Sequence, residues 1–151
     1  MSLFYYLQNA ANEASFHQEM STMTIEEYST SNKAERNWMT RALSGKLEGG
    51  KLDEDDLYRA MAFLRTKCVI GLTSKFSVSY RRFEAYFELG SSVDIGCENK
   101  IMADLAVKTK SHPKVEPGST TWNALADLNK FDMKLYKYGL KLFEQQGQFF
   151  S

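Results

Sequence analysis

Leu64–Phe87 reads LRTKCVIGLTSKFSVSYRRFEAYF and contains the clearest change of hydrophobic pattern in the chain. Its apolar, β-branched run Cys68–Leu72 predicts one short strand that is covered on both faces. The aromatic residues that follow recur at helical spacing, which predicts a helix with an aromatic face in the core. They are Phe76, Tyr80, Phe83 and Phe87. A single buried strand leaves backbone donors and acceptors without partners, so we expect a further sheet-forming segment.

Helix signals dominate the rest of the sequence. Thr24 opens a capping-box motif, Gly45 stands where a helix over 33–43 would end, and Gly49-Gly50 breaks the chain. Both prolines fall in Lys108–Gly118, which predicts a loop. Helices are predicted over 2–14, from Thr24, over 33–43, from Asp53, weakly over 99–107, from Ser119, and from Asn129 or Asp132. The prediction is a single, mainly α domain over residues 1–151 with one short strand.

Length and composition fit one packed domain. The 151 residues are 43% hydrophobic and 13% aromatic, enough for a core that needs no metal or disulfide staple. Nineteen basic and nineteen acidic residues cancel, so global charge gives no reason to expect a nucleic acid or an anionic membrane surface as partner. No apolar stretch approaches the ~20 residues needed to cross a bilayer, and no signal peptide is predicted. A bridge between Cys68 and Cys97 stays open.

Two segments carry candidate ligand-binding residues on predicted helices. Ser2 begins the first predicted helix, where a hydroxyl and free backbone N–H groups suit a phosphate. The alternative is that Ser2 is a helix cap. Asn37 and Arg41 lie four residues apart, hence on one predicted helical face. They either contact a sulfated ligand or form a structural pair that ties the helix into the fold.

A third candidate is the basic segment Lys108–Lys114, where Thr109 and Lys110 stand among further cations. It is interpreted either as a loop that closes over an anionic ligand or as a solvated surface loop. His17 and His112 lack a catalytic context. The sequence contains no Cys/His metal spacing and no Gly-rich phosphate loop.

Four segments, in this order and spacing, resemble carbohydrate sulfotransferases that use 3′-phosphoadenosine 5′-phosphosulfate (PAPS), the group of heparan sulfate 2-O-sulfotransferases and chondroitin sulfotransferases. Ser2–Gln8 is similar to the family's 3′-phosphate helix, and Thr24–Gly45 to its acceptor-side segment. Leu64–Phe87 is similar to its strand-then-helix unit. Trp122–Gln145 follows its terminal W-x-x-L-x-x-x-N-x-x-D-x-x-L-Y pattern.

The resemblance implies a fold, a reaction and site residues. The chain would be the C-terminal helical part of a P-loop-like α/β sulfotransferase, which transfers a sulfuryl group from PAPS to a carbohydrate hydroxyl without a metal. Ser2, with Thr109 and Lys110, would bind the 3′-phosphate of the nucleotide. Asn37 and Arg41 would face the substrate.

The family's first strand, its 5′-phosphosulfate loop and the arginine before the 3′-phosphate serine have no counterpart in these residues. We therefore expect a partial domain that is nearly inactive alone, because sulfuryl transfer depends on positioning and charge stabilisation by that loop. The resemblance identifies no catalytic base, and it suggests the Golgi for a full-length protein. The alternative is a non-catalytic helical module that binds other proteins.

Overall fold

The computed structural model describes residues 18–88, 100 and 114–150, and this part of the chain is mainly helical. The longer helices in it are α1 Gln18–Ser21, α2 Ile25–Thr30, α3 Trp38–Ser44, α4 Glu54–Lys67, α5 Phe76–Tyr86, α6 Thr120–Leu128 and α7 Lys130–Gln146, and short 3₁₀ turns cover Thr73–Lys75 and Gly147–Phe149. The chain divides into two compact units, Met1–Asn37 with Ser111–Lys130 and Trp38–Lys110 with Phe131–Ser151.

The first unit packs α2 against α6. The predicted capping box is confirmed: the Glu27 N–H donates to the Thr24 hydroxyl, and the Thr24 N–H donates to the Glu27 carboxylate at 2.8 Å. Ser119 caps α6 as predicted, since its hydroxyl accepts the Trp122 N–H at 3.1 Å. The small core consists of Tyr28 and Ala34 with the partly buried Met23, Ile25, Leu125 and Leu128.

The second unit packs α3 against α4. Helix α4 starts from the predicted cap Asp53, whose side chain accepts the Asp56 N–H at 3.0 Å. The chain reaches this cap through the predicted break at Gly49-Gly50, where both residues take the positive φ that suits glycine. The core consists of Leu52, Leu57, Ala60, Phe131 and Leu135, with the partly buried Leu43, Met61 and Leu64 against it.

The C-terminal half of α7 is anchored by Phe143, which is fully buried. The Arg82 guanidinium lies 3.9 Å from the centre of the Phe143 ring, and the Lys75 ammonium lies 5.3 Å from it. Arg82 also donates a hydrogen bond to the Phe143 carbonyl oxygen at 2.5 Å. The Phe143 ring thus contacts Arg82 of α5 and Lys75 of the 3₁₀ turn before it. These cation–π contacts, together with the Arg82 hydrogen bond, hold α5 against α7.

Three predictions about this part of the chain are wrong. Cys68–Leu72 forms no strand within the described residues, because no neighbouring strand pairs with it there. The helix predicted over 33–43 begins only at Trp38, because Asn37 has a φ of +52°. The aromatic face of α5 is not core: Phe87 is 61% exposed, and Phe76, Tyr80 and Phe83 are only partly buried.

Other predictions fall outside the described residues or are confirmed. The helix predicted over 2–14 and nearly all of the one over 99–107 lie outside the described residues. The described part of the predicted loop, residues 114–118, contains turns and irregular backbone, as expected.

Candidate functional site

The residues expected to bind the nucleotide lie outside the part of the chain that the structure describes. They are Ser2, Thr109 and Lys110. His17 and His112 also fall there. Their roles therefore stay predictions from the sequence.

Asn37 is held inside the first unit by hydrogen bonds to the end of α6. Its N–H donates to the Asn129 side-chain oxygen at 2.8 Å, and its own amide nitrogen donates to the Leu128 carbonyl oxygen at 2.8 Å. Asn129 in turn donates to the Leu125 carbonyl oxygen at 3.0 Å. The Asn37 side chain is buried, and asparagine tolerates the left-handed backbone found there. These contacts give Asn37 a structural task whether or not it also meets a ligand.

Arg41 lies on α3 in the second unit and orders the loop that follows the helix. Its guanidinium donates to the Gly50 carbonyl oxygen at 3.0 Å and more weakly to that of Lys46 at 3.4 Å. The expectation that Asn37 and Arg41 share a helical face is wrong, because Asn37 precedes the helix in a left-handed conformation.

Asp132 fixes the first turn of α3. Its carboxylate accepts the Met39 N–H at 3.0 Å, the Thr40 N–H at 2.7 Å and the Thr40 hydroxyl at 2.6 Å. The first N–H groups of a helix have no intrahelical acceptor, so this carboxylate caps α3 from a distant part of the sequence. The terminal sequence pattern marked Asp132 as notable, but it gave no indication of this partner.

The buried carboxylate of Asp56 forms ion pairs with two cations at the start of α4. The Lys46 ammonium donates to it at 2.7 Å, Arg59 forms a second ion pair with it, and it accepts the Asp53 N–H at 3.0 Å. The hydrogen bond from Lys46, together with that from Arg59, holds the pKa of Asp56 well below its usual range. Lys46 lies in the loop before the helix, Asp53 is the cap and Arg59 lies one turn further along α4, so the cluster closes the loop onto the helix.

Segment Cys68–Leu72 pairs with no strand in the described part of the chain; instead, side chains take the place of one neighbouring strand. Cys68 and Leu72 are extended at its two ends. The Gln146 side chain accepts the Ile70 N–H at 2.8 Å and donates to the Cys68 carbonyl oxygen at 2.9 Å. One residue of a parallel strand makes the same two bonds to its neighbour, so the Gln146 amide imitates such a residue.

Ser79 completes the same edge of the segment. Its hydroxyl accepts the Leu72 N–H at 2.8 Å and lies 3.1 Å from the Leu72 carbonyl oxygen. Packing of α5 onto the segment also depends on Gly71, because a Cβ there would stand 2.7 Å from the Phe83 ring. Neither Gln146 nor Ser79 had a sequence signal beyond the unmet hydrogen bonds of a lone strand.

A cavity of about 680 Å³ opens beside the first half of this segment. Its wall combines two cations with aromatic rings and backbone. Among the lining residues are Arg65, Lys67, Val69, Tyr86, Phe149 and Phe150. Cys68 also lines it and is a free thiol. No acidic side chain contributes to the lining within the described residues.

Neither a metal-binding cluster nor a membrane-spanning helix occurs within residues 18–88, 100 and 114–150. No group of three or more His, Cys, Asp or Glu side chains is arranged to hold a metal ion there. None of the helices described is both long and apolar enough to pass through a bilayer. Comparison of the chain with protein-family models, with curated proteins and with solved structures found no match.

Proposed function

We propose that this chain is the C-terminal, mostly helical part of a PAPS-dependent carbohydrate sulfotransferase of P-loop-like α/β fold. The observation that carries the proposal is the order and spacing of four sequence segments, Ser2–Gln8, Thr24–Gly45, Leu64–Phe87 and Trp122–Gln145. The whole protein would transfer a sulfuryl group from PAPS to a sugar hydroxyl, in the Golgi by analogy with the family.

Contacts between two of these segments support the proposal. In the first unit, Asn37 of the second segment bonds to Asn129 of the fourth. In the second unit, Met39 and Thr40 bond to Asp132, again joining the second segment to the fourth. Residues that are far apart in sequence but belong to the same resemblance are thus direct partners.

In this proposal the residues divide into two groups. Ser2, assisted by Thr109 and Lys110, binds the 3′-phosphate of the nucleotide, where a hydroxyl and cations are suitable donors. Asn37 holds the start of the acceptor-side segment through its bonds to the end of α6, and Arg41 orders the loop after α3 and faces the carbohydrate. The 5′-phosphosulfate loop would come from a segment outside these 151 residues.

Thermal unfolding with adenosine 3′,5′-bisphosphate tests the proposal on the protein extended by its upstream coding region. A ligand at a hundred times its Kd adds about 2.7 kcal/mol, which corresponds to a rise in Tm of roughly 5–10 °C for a domain of this size class. Ser2→Ala should reduce the rise, whereas Ser77→Ala, at an exposed position on α5, should leave it unchanged. A bisphosphate that leaves the Tm of the extended protein unaltered would contradict the proposal.

Exposed aromatic side chains favour a second candidate, a non-catalytic helical module that binds other proteins. Tyr58, Tyr86, Phe87 and Phe149 are each more than half exposed. Large apolar side chains on a surface are enriched where proteins bind one another. This candidate predicts no response to the bisphosphate and a response to a polypeptide partner.

A further inference from the structure

We infer that an exposed patch formed by the start of α3 and the outer side of α7 docks on an anionic membrane surface. This α3–α7 patch combines large apolar side chains with lysines: Trp38, Met39, Met133, Tyr136, Lys137 and Lys141. All six residues lie in the second unit. The inference does not depend on the sulfotransferase proposal.

The first step places the apolar side chains of the patch near one another. The Asp132 carboxylate accepts the Met39 N–H at 3.0 Å, so the first turn of α3 lies against α7 at this residue. Met133 follows Asp132 directly, and Tyr136 follows it by one helical turn. The exposed apolar residues, each with 36–61% of its surface open, are Trp38, Met39, Met133 and Tyr136. Exposed apolar side chains concentrated in this way mark an interaction site.

The second step concerns the lysines beside these apolar residues. Lys134, Lys137 and Lys141 are exposed and spaced i, i+3 and i+7, so they project from one side of α7. Lys137 stands one turn after Met133, which joins this row to the apolar part of the patch. Neither Lys137 nor Lys141 forms an ion pair within the described residues. Both ammonium groups are therefore available to an external anion.

The acids next to the row of lysines are already paired. Glu54 forms an ion pair with Lys134, and Glu144 forms one with Lys75 at 2.8 Å. These two acids therefore leave the other two lysines of the row uncompensated. The patch presents net positive charge to an anionic surface, although the charges of the whole sequence cancel.

The composition of the patch favours a lipid surface over two other occupants. Protein interfaces are depleted in lysine and enriched in arginine, whereas every cation of this patch is a lysine. A soluble polyanion would contact the lysines but would leave Trp38, Met39 and Met133 without a role. At a membrane, Trp and Tyr rings lie at the level of the headgroups, and lysines beside an apolar face contact anionic lipids.

Vesicle binding tests the inference on the 151-residue chain. The probes are vesicles of phosphatidylcholine alone and vesicles of phosphatidylcholine mixed with phosphatidylserine. We expect sedimentation with the anionic vesicles, a blue shift of Trp fluorescence, and release as added salt screens the lysines. Trp38→Phe should remove the blue shift, because Trp38 is the tryptophan of the patch. Equal binding to the two kinds of vesicle, or binding to neither, would overturn the inference.

Protein variants separate the patch from the general charge of the chain. Lys137→Gln combined with Lys141→Gln should weaken binding about thirtyfold, which corresponds to ~1 kcal/mol for each lysine at an anionic surface. Lys67→Gln combined with Arg81→Gln is the matched control, since it removes the same charge at exposed positions of the second unit outside the patch. The control should weaken binding far less. Equal losses for the two double variants would overturn the inference.

Three other occupants are outcomes of the same measurements, and each would overturn the inference. Binding of heparin without vesicle sedimentation would assign the lysines to a soluble polyanion. Dimerisation that shifts Trp38 fluorescence without vesicles, and that increases with protein concentration, would assign the patch to a second copy. Loss of vesicle binding in the protein extended by its upstream coding region would assign the patch to another segment of the same protein.

Discussion

Replacement of Gln146 by leucine should destabilise the chain, because it removes the side chain that imitates a neighbouring strand. The substitution abolishes two hydrogen bonds, one from the Ile70 N–H and one to the Cys68 carbonyl oxygen. It leaves both backbone groups partly buried and unpaired. Such a bond contributes about 1 kcal/mol net, and an orphaned buried group costs about 1–3 kcal/mol. Because these groups are only partly buried, we expect a total loss of about 2–3 kcal/mol.

Urea unfolding followed by circular dichroism measures this loss. Gln145→Leu is the matched control, since Gln145 is exposed, lies one position earlier in α7 and makes no side-chain hydrogen bond within the described residues. The control should change the free energy of unfolding by less than about 0.5 kcal/mol. Equal losses for the two variants would refute the reasoning, because they would show that the Gln146 amide contributes nothing beyond its place in the helix.

Three further predictions concern other buried polar contacts. Asp132→Ala should cost about 2–4 kcal/mol in urea unfolding, because it removes the carboxylate that caps α3, while the exposed Asp127→Ala serves as control and should cost little. Asn37→Ala should lower the free energy of unfolding by about 2–3 kcal/mol, and Asn37→Gly by about 1 kcal/mol. Both variants lose the side-chain hydrogen bond, but only alanine is strained by the positive φ at this position. Equal losses for the two variants would contradict this reasoning. Lys46 lowers the pKa of Asp56, so the ionised carboxylate stabilises the fold above its unfolded pKa of about 3.9. This stabilisation is lost progressively as the pH falls below that value. Urea midpoints at pH 7 and pH 3 should therefore differ less for Asp56→Asn than for the parent protein.

Local signals in the sequence predicted local structure well. Thr24, Asp53 and Ser119 begin the helices expected of them, because a capping bond joins residues only three apart. Gly49-Gly50 likewise breaks the chain as expected, since its backbone conformation is a property of glycine itself.

Features that depend on distant partners were not predictable. The strand expected at Cys68–Leu72 needs another strand, and the sequence pattern cannot say that Gln146 takes that place. The bonds of Asn37 reach residues about ninety positions away, so its structural role had no local sign. Phe87 fits a core-facing periodicity, yet it is exposed because burial depends on what packs against the helix.

Hydrogen exchange at single amides in Cys68–Leu72 tests the central claim most directly, because the claim is that the Gln146 and Ser79 side chains take the place of a neighbouring strand along this segment. In the 151-residue chain alone, the Ile70 and Leu72 amides should exchange slowly, since Gln146 and Ser79 accept their protons. The Val69 and Gly71 amides, which have no acceptor within the described residues, should exchange rapidly. Slow exchange at all four amides, or rapid exchange at Ile70 and Leu72, would contradict the account.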